Sequence, residues 1–98
     1  MSTNKRSNDF LNRRQDNSKR VLNDKLKIFD SGVMTVEKCL EECKQYKYAA
    51  VENRKECFCA NQFSQKTKIL DDTECNMACD GDETQTCGGP WKMNVYTV

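Results

Sequence analysis

Residues 36–59, VEKCLEECKQYKYAAVENRKECFC, hold four of the chain's seven cysteines, the first two spaced i, i+4 and the last two i, i+2. The first spacing is a helical one and the second belongs to a strand. Thr35 suits the N-cap position, Met34 the apolar staple position before it, and Glu37 and Glu41 sit where the positive end of a helix dipole favours acids. Val36, Cys39, Leu40 and Cys43 then recur at i, i+3, i+4 and i+7, one apolar stripe that turns both cysteines toward a core. Glu37, Lys38, Glu41, Glu42 and Lys44 are left to water. Downstream, YKYAAVE and ECFCAN flank NRK and read as a hairpin in which Cys57 and Cys59 share a face and Phe58 takes the other.

Four residues of helix rise about 6 Å and two residues of strand about 6.6 Å. A helix lying along that strand can therefore carry two roughly parallel bridges, one from Cys39 and one from Cys43. Spacing leaves open which thiol meets which, because helix direction decides between the two inter-element connectivities. A four-thiolate zinc site is the rival, but such sites draw on knuckles in turns, whereas here one pair lies in a helix, the other in a strand, and the chain has no His. A thioredoxin-like role needs C-x-x-C at a helix start, which is absent. Structural disulfides are the reading, with no metal and no cofactor implied.

The totals agree. A chain of 98 residues with 37% apolar and 32% charged residues makes one domain with a small core, and its cysteine content is that of a secreted disulfide scaffold. The opening MSTNKRSNDFLNRRQDN has no apolar h-region and does not read as a secretory signal, so an extracellular or cell-surface domain is expected whose export route these residues do not encode. No apolar run is long enough to insert in a membrane. Residues 1–30 carry eight Lys/Arg against four Asp/Glu, and residues 31–98 eight against eleven. That basic lead, without interleaved aromatics, gives no nucleic-acid footprint.

Residues 1–9 are polar and aperiodic and read as a flexible N-terminal tail, with the domain over 10–98. RVL at 20–22 and LKIF at 26–29 read as edge strands around an Asn23-Asp24 turn. QFSQKTKILDDTE reads as a long loop with a short strand at Ile69 and Leu70, and MNVYTV as a terminal strand returning to the sheet.

MTVEKCLEEC, YAAVENRKECFCAN and DDTECNMACDGDETQTCGGPWKMNVY, with DNSKRVL at 16–22, together resemble a WSC domain over roughly residues 10–98. The resemblance implies an α+β fold, a small disulfide-rich PAN/apple-like domain with one main helix packed on a small antiparallel sheet. It implies the pairings Cys39–Cys57, Cys43–Cys59 and Cys79–Cys87. The family's first cysteine precedes the D-N-x-x-R-x-L run, where this chain has Asn12-Arg13-Arg14. Its partner position corresponds to Cys75, which becomes a free thiol, either buried or bridging two chains of an otherwise monomeric domain. Phe58 and Tyr96 match positions that read as core.

For catalysis the chain offers no His, no G-x-S-x-G and no phosphate loop, and its adjacent acids Asp71-Asp72 and Asp82-Glu83 read as solvated surface. DGDE at 80–83 lacks the remaining ligands of a calcium loop and reads as a tight turn. Gly88 and Gly89 read as a turn requiring positive φ. Binding suits the residues better: sugar rings stack on aromatic faces while amides and carboxylates bond their hydroxyls. Trp91, following CGGP, is the candidate platform, with Asn61, Asp82 and Gln85 as polar partners. Its bland reading is a packing residue over the nearby bridge. Tyr46 and Tyr48 are further candidates, although strand alternation draws at least one into the core. The expected function is a noncatalytic carbohydrate-binding module for a cell-wall or matrix glycan. The alternative is a protein-interaction or structural module of a cell-surface receptor.

Overall fold

A computed structural model describes residues 10–98; the tail expected over 1–9 lies outside them. Helix α1, Val36–Glu42, begins where Thr35 leaves the extended conformation and its Oγ1 accepts the Lys38 N–H at 3.1 Å. It closes at Cys43, whose N–H bonds the Cys39 carbonyl at 3.0 Å. Seven residues are too few for a helix to persist alone in water. Cys39, Leu40 and Cys43 are buried and fasten it to the sheet.

That sheet has six strands: β1 (Phe10–Gln15), β2 (Lys25–Ile28), β3 (Tyr48–Glu52), β4 (Glu56–Ala60), β5 (Ile69–Leu70) and β8 (Lys92–Thr97). The order is β2-β4-β3-β8-β1-β5, with every neighbouring pair antiparallel. A separate ribbon pairs β6 (Ala78–Cys79) with β7 (Asp82–Thr86). The result is a small α+β, disulfide-rich arrangement with one short helix on an antiparallel sheet. The terminal strand β8 lies centrally, between β3 and β1, because Met93 and Val95 are apolar enough for full burial on one face.

Alternation along the central strands divides the core in two. Ala49, Val51, Cys57 and Cys59 face the helix, with Met34 and Leu40 packed among them. Ala50, Phe58, Ala60, Met93 and Val95 form the opposite face, where among the described residues no helix lies and loop residues Val21 and Leu22 cover the strands. Here the expectation of a strand at 20–22 fails. Arg20 adopts φ 60, and the Val21 N–H donates to Asp16 Oδ1 at 3.0 Å instead of to a neighbouring strand. The chain thus plugs the sheet face rather than extending its edge.

The tight turn expected at 80–83 is formed by Asp80 and Gly81, and Asp82 onward continues as β7. A Cβ on Gly81 would lie 2.5 Å from the Val33 carbonyl oxygen, so backbone packs where a side chain would stand. Gly88 has φ 67, whereas Gly89 is outside the positive-φ region. Phe58 is buried; Tyr96 is partly buried, edge-on to Phe10.

Bridges join Cys39 to Cys57 and Cys43 to Cys59 with Cα separations of 5.5 and 5.3 Å, and Cys79 to Cys87 at 4.8 Å. Cys75 is unbridged and buried, its Sγ against the Met93 carbonyl at 3.7 Å. Burial pushes its thiol above the ordinary range, leaving little thiolate to react. The N-terminal strand, lacking a cysteine at Asn12–Arg14, is held by its pairing with β8 and β5. Alkylation in denaturant without reductant is expected to modify one cysteine, Cys75, while the native domain resists; a label on Cys87 instead would show a different pairing.

Candidate ligand platform at the exposed indole

The chain enters β8 through a turn closed by Gly89 N–H to Lys92 O at 2.9 Å and Lys92 N–H to Gly89 O at 3.1 Å. Pro90 and Trp91 occupy its corners. Trp91 has φ 60, a left-handed conformation that a bulky residue adopts only against strain of order 1–3 kcal/mol. Its carbonyl accepts the Asp16 N–H at 2.8 Å and the Gln15 amide at 2.9 Å, bonds that hold the strained turn in place. Trp91 stands 47% exposed.

The Arg20 guanidinium covers one face of the indole, 4.6 Å from the ring centroid, and lies 5.0 Å from that of buried Phe58. Arg20 Nη1 donates to Asp16 Oδ2 at 2.9 Å and, more weakly, to Glu52 Oε2 at 3.4 Å. Both carboxyl side chains are buried, at 1% and 2% exposure. Two ionised carboxylates beside one guanidinium would leave an uncompensated buried charge, so the group retains a proton. Burial pushes Glu52 up to about 9, assisted by its hydrogen bond with Asp16 and by the Asp16 charge, against the opposing pull of Arg20. Burial acts in the same direction on Asp16, but hydrogen bonds from Glu52, the Val21 N–H and Arg20 outweigh it and hold Asp16 below its ordinary value. Glu52 is therefore the protonated partner. Glu52 Oε1 is buried without a hydrogen-bond partner, a further cost to its charged form.

The indole borders two hollows. One, of about 150 Å³, is lined by Arg20, Glu52, Asn53, Glu56 and Pro90. The other, of about 370 Å³, is lined by Gln15, Asp16, Asn17 and Ser18. Asn61, Asp82 and Gln85 line neither. Asn61 Oδ1 accepts the Lys47 N–H beyond the end of β4. Asp82 Oδ1 accepts the Thr84 N–H and hydroxyl at 2.9 and 2.6 Å, which holds its carboxyl below the usual range. Gln85 ties β7 to the start of α1, accepting from Val36 N and donating to the Glu37 carboxylate at 2.8 Å. Tyr46 lines a separate polar hollow of about 330 Å³ beside the Lys25–Glu42 ion pair, and Tyr48 packs edge-on to Phe63 at 4.9 Å.

Sequence reasoning thus located the indole and missed Asp16, Arg20 and Glu52. The i, i+4 spacing of Asp16 and Arg20 was a visible signal, but nothing local tied it to Glu52 or Trp91. The sulfurs of Cys39, Cys43 and Cys57 lie within 4.8 Å of one another, yet all are in bridges and offer no thiolate to a metal. Among the described residues no helix is long and apolar enough to cross a membrane.

Residues 12–89 match the family model of the WSC domain. A WSC domain-containing protein of Arthroderma benhamiae is 37% identical over 70 residues, 69% of this chain and 8% of that protein. Xylosyltransferase oxt of Drosophila melanogaster is 43% identical over 61 residues, 60% of this chain and 7% of that protein. Kremen protein 1 of Homo sapiens is 35% identical over 69 residues, 67% of this chain and 15% of that protein. The chain spans under a tenth of the length of the first two.

The proton on Glu52 has a measurable consequence. Its folded value lies above the ordinary 4.5, so the stability it contributes is fully present below pH 4.5 and is lost as pH rises through about 9. Asp16 runs the opposite way, its contribution present above 3.8 and lost as pH falls through its lowered folded value. Glu52→Gln keeps a donor to Asp16 and an acceptor for Arg20 but cannot ionise. Thermal melts across pH 4.5 to 9 should show a flatter profile for Glu52→Gln than for the wild type; superimposable slopes would refute the shared proton.

Proposed function

The chain belongs to the WSC domain family, and from that membership we propose that it is a noncatalytic extracellular or cell-surface module that binds a cell-wall or matrix glycan through Trp91. We read its helix-on-sheet arrangement, over residues 10–98, as of the PAN/apple type. The observation that carries the proposal is an exposed indole locked over a buried hydrogen-bonded base. Sugars bind by stacking C–H faces on such rings, and a ring already held in place loses little freedom on binding. Three bridges fit an oxidising compartment. The noncatalytic reading draws support from the same place: Asp16 and Glu52, which border the indole's hollows, are buried and tied to Arg20 rather than free to act on a bound substrate. Similarity to a protein named xylosyltransferase covers 7% of that protein, and we assign the shared stretch to glycan contact rather than transfer. Burial of Cys75 favours a monomer.

A second reading, a protein-interaction or structural module, draws support from the similarity to Kremen protein 1 and from edge strand β2, where Leu26 and Ile28 are 50% and 57% exposed. Lys25 and Lys27 on that strand oppose strand addition by another chain.

A glycan array including β-glucans and xylans should give binding of roughly millimolar to micromolar strength. Trp91→Ala is expected to weaken it by about tenfold or more, roughly the loss of one stacking contact, with the circular dichroism spectrum unchanged. Silence across the array would favour the protein-binding reading.

A further inference from the structure

Resting on the glycan reading, we propose that Arg20 is the positioning residue of the site and that the ligand is received on the indole face turned away from it, over the hollow formed by Gln15, Asn17 and Ser18. Support runs outward from the core. Phe58 is buried, the Arg20 guanidinium lies within stacking reach of both rings, and Trp91 is outermost. Arg20 cannot swing away without releasing its bonds to Asp16 and Glu52. It borders the smaller hollow and is absent from the larger. Of the two hollows beside the indole, only the larger reaches the roughly 300–1,000 Å³ common to small-molecule sites.

The chemistry of the larger hollow suits hydroxyl groups rather than charges. Asp16 Oδ1 and Oδ2 are occupied by the Val21 N–H and Arg20, so its carboxylate is committed. The Gln15 amide nitrogen donates to the Trp91 and Asp16 carbonyls, and the Asn17 amide pairs reciprocally with Gln65 at 3.0 Å in both directions while its oxygen also accepts the Lys19 N–H. Gln15 Oε1, the second Asn17 Nδ2 proton and the Ser18 hydroxyl are left for a sugar. A ring without Arg20 behind it would have to be ordered by the ligand, which weakens binding without removing any direct contact.

Trp91 is the only tryptophan, so its fluorescence reports on this site alone. Laminarihexaose and xylohexaose serve as probes. The wild type should show a saturable change in emission. Arg20→Met should weaken affinity about tenfold and lower the emission anisotropy, with Arg20→Lys intermediate in both. Asn17→Ala and Ser18→Ala should weaken affinity while anisotropy stays at the wild-type value, which keeps the test open should Arg20→Met fold poorly. Unchanged affinity in these variants, or calorimetric binding without an emission change, overturns the proposal. Binding lost in Trp91→Ala but indifferent to Arg20, Asn17 and Ser18 overturns this inference alone. No binding of either hexasaccharide by the wild type overturns it together with the glycan reading.

Discussion

Two adjacent disulfides hold a seven-residue helix against a hairpin strand, and the rest of the structure is arranged around that junction. Without them α1 is too short to persist, and the helix-side face of the sheet would lose its cover. The bridges lie side by side, with Cys43 Sγ and Cys57 Sγ 3.7 Å apart, so one helical turn and one strand repeat are locked in register at two points. Each closed loop of 16 to 18 residues also restricts the unfolded chain, a contribution of about 3 kcal/mol per bridge on a chain-entropy account.

The other face is stabilised differently. Among the described residues no helix covers it, and the chain from Asp16 to Leu22 folds back over Phe58, Ala50 and Val95. That loop carries polar groups into a buried place, where they must bond each other: Asp16 to Arg20 and Val21, Glu52 to both charged partners. An ionised residue is thereby placed directly beneath a surface ring. The stability of the loop and the orientation of the indole depend on the same few bonds, which links the packing of one sheet face to the surface that ligand would meet.

Much of the local structure was legible because it rests on near-neighbour chemistry. Thr35 caps α1, the apolar stripe from Val36 to Cys43 turns inward, and the alternation of ECFCA separates Cys57 and Cys59 from Phe58. Where reading failed, a distant partner had overridden a local preference. RVL has the composition of a strand, yet Asp16 captures the Val21 amide and Arg20 turns the chain. Asp82 to Thr86 has little strand character, yet the Cys79–Cys87 bridge and the backbone bonds between Met77, Cys87 and Gly88 fold it into a ribbon. Gln85 has the chemistry of a sugar-binding amide, and it instead joins β7 to the start of the helix.

The sequence by itself determined the class of molecule, the family, the helix and the hairpin, since cysteine spacing and side-chain periodicity are properties of neighbouring residues. It also singled out Trp91 from its place in an exposed turn. Only the tertiary structure decided what stands behind that ring. Asp16, Arg20, Glu52 and Trp91 come from a loop, a strand end and a distant turn, separated by up to 75 residues. Their hydrogen bonding and stacking depend on distances of a few ångströms that no local pattern encodes.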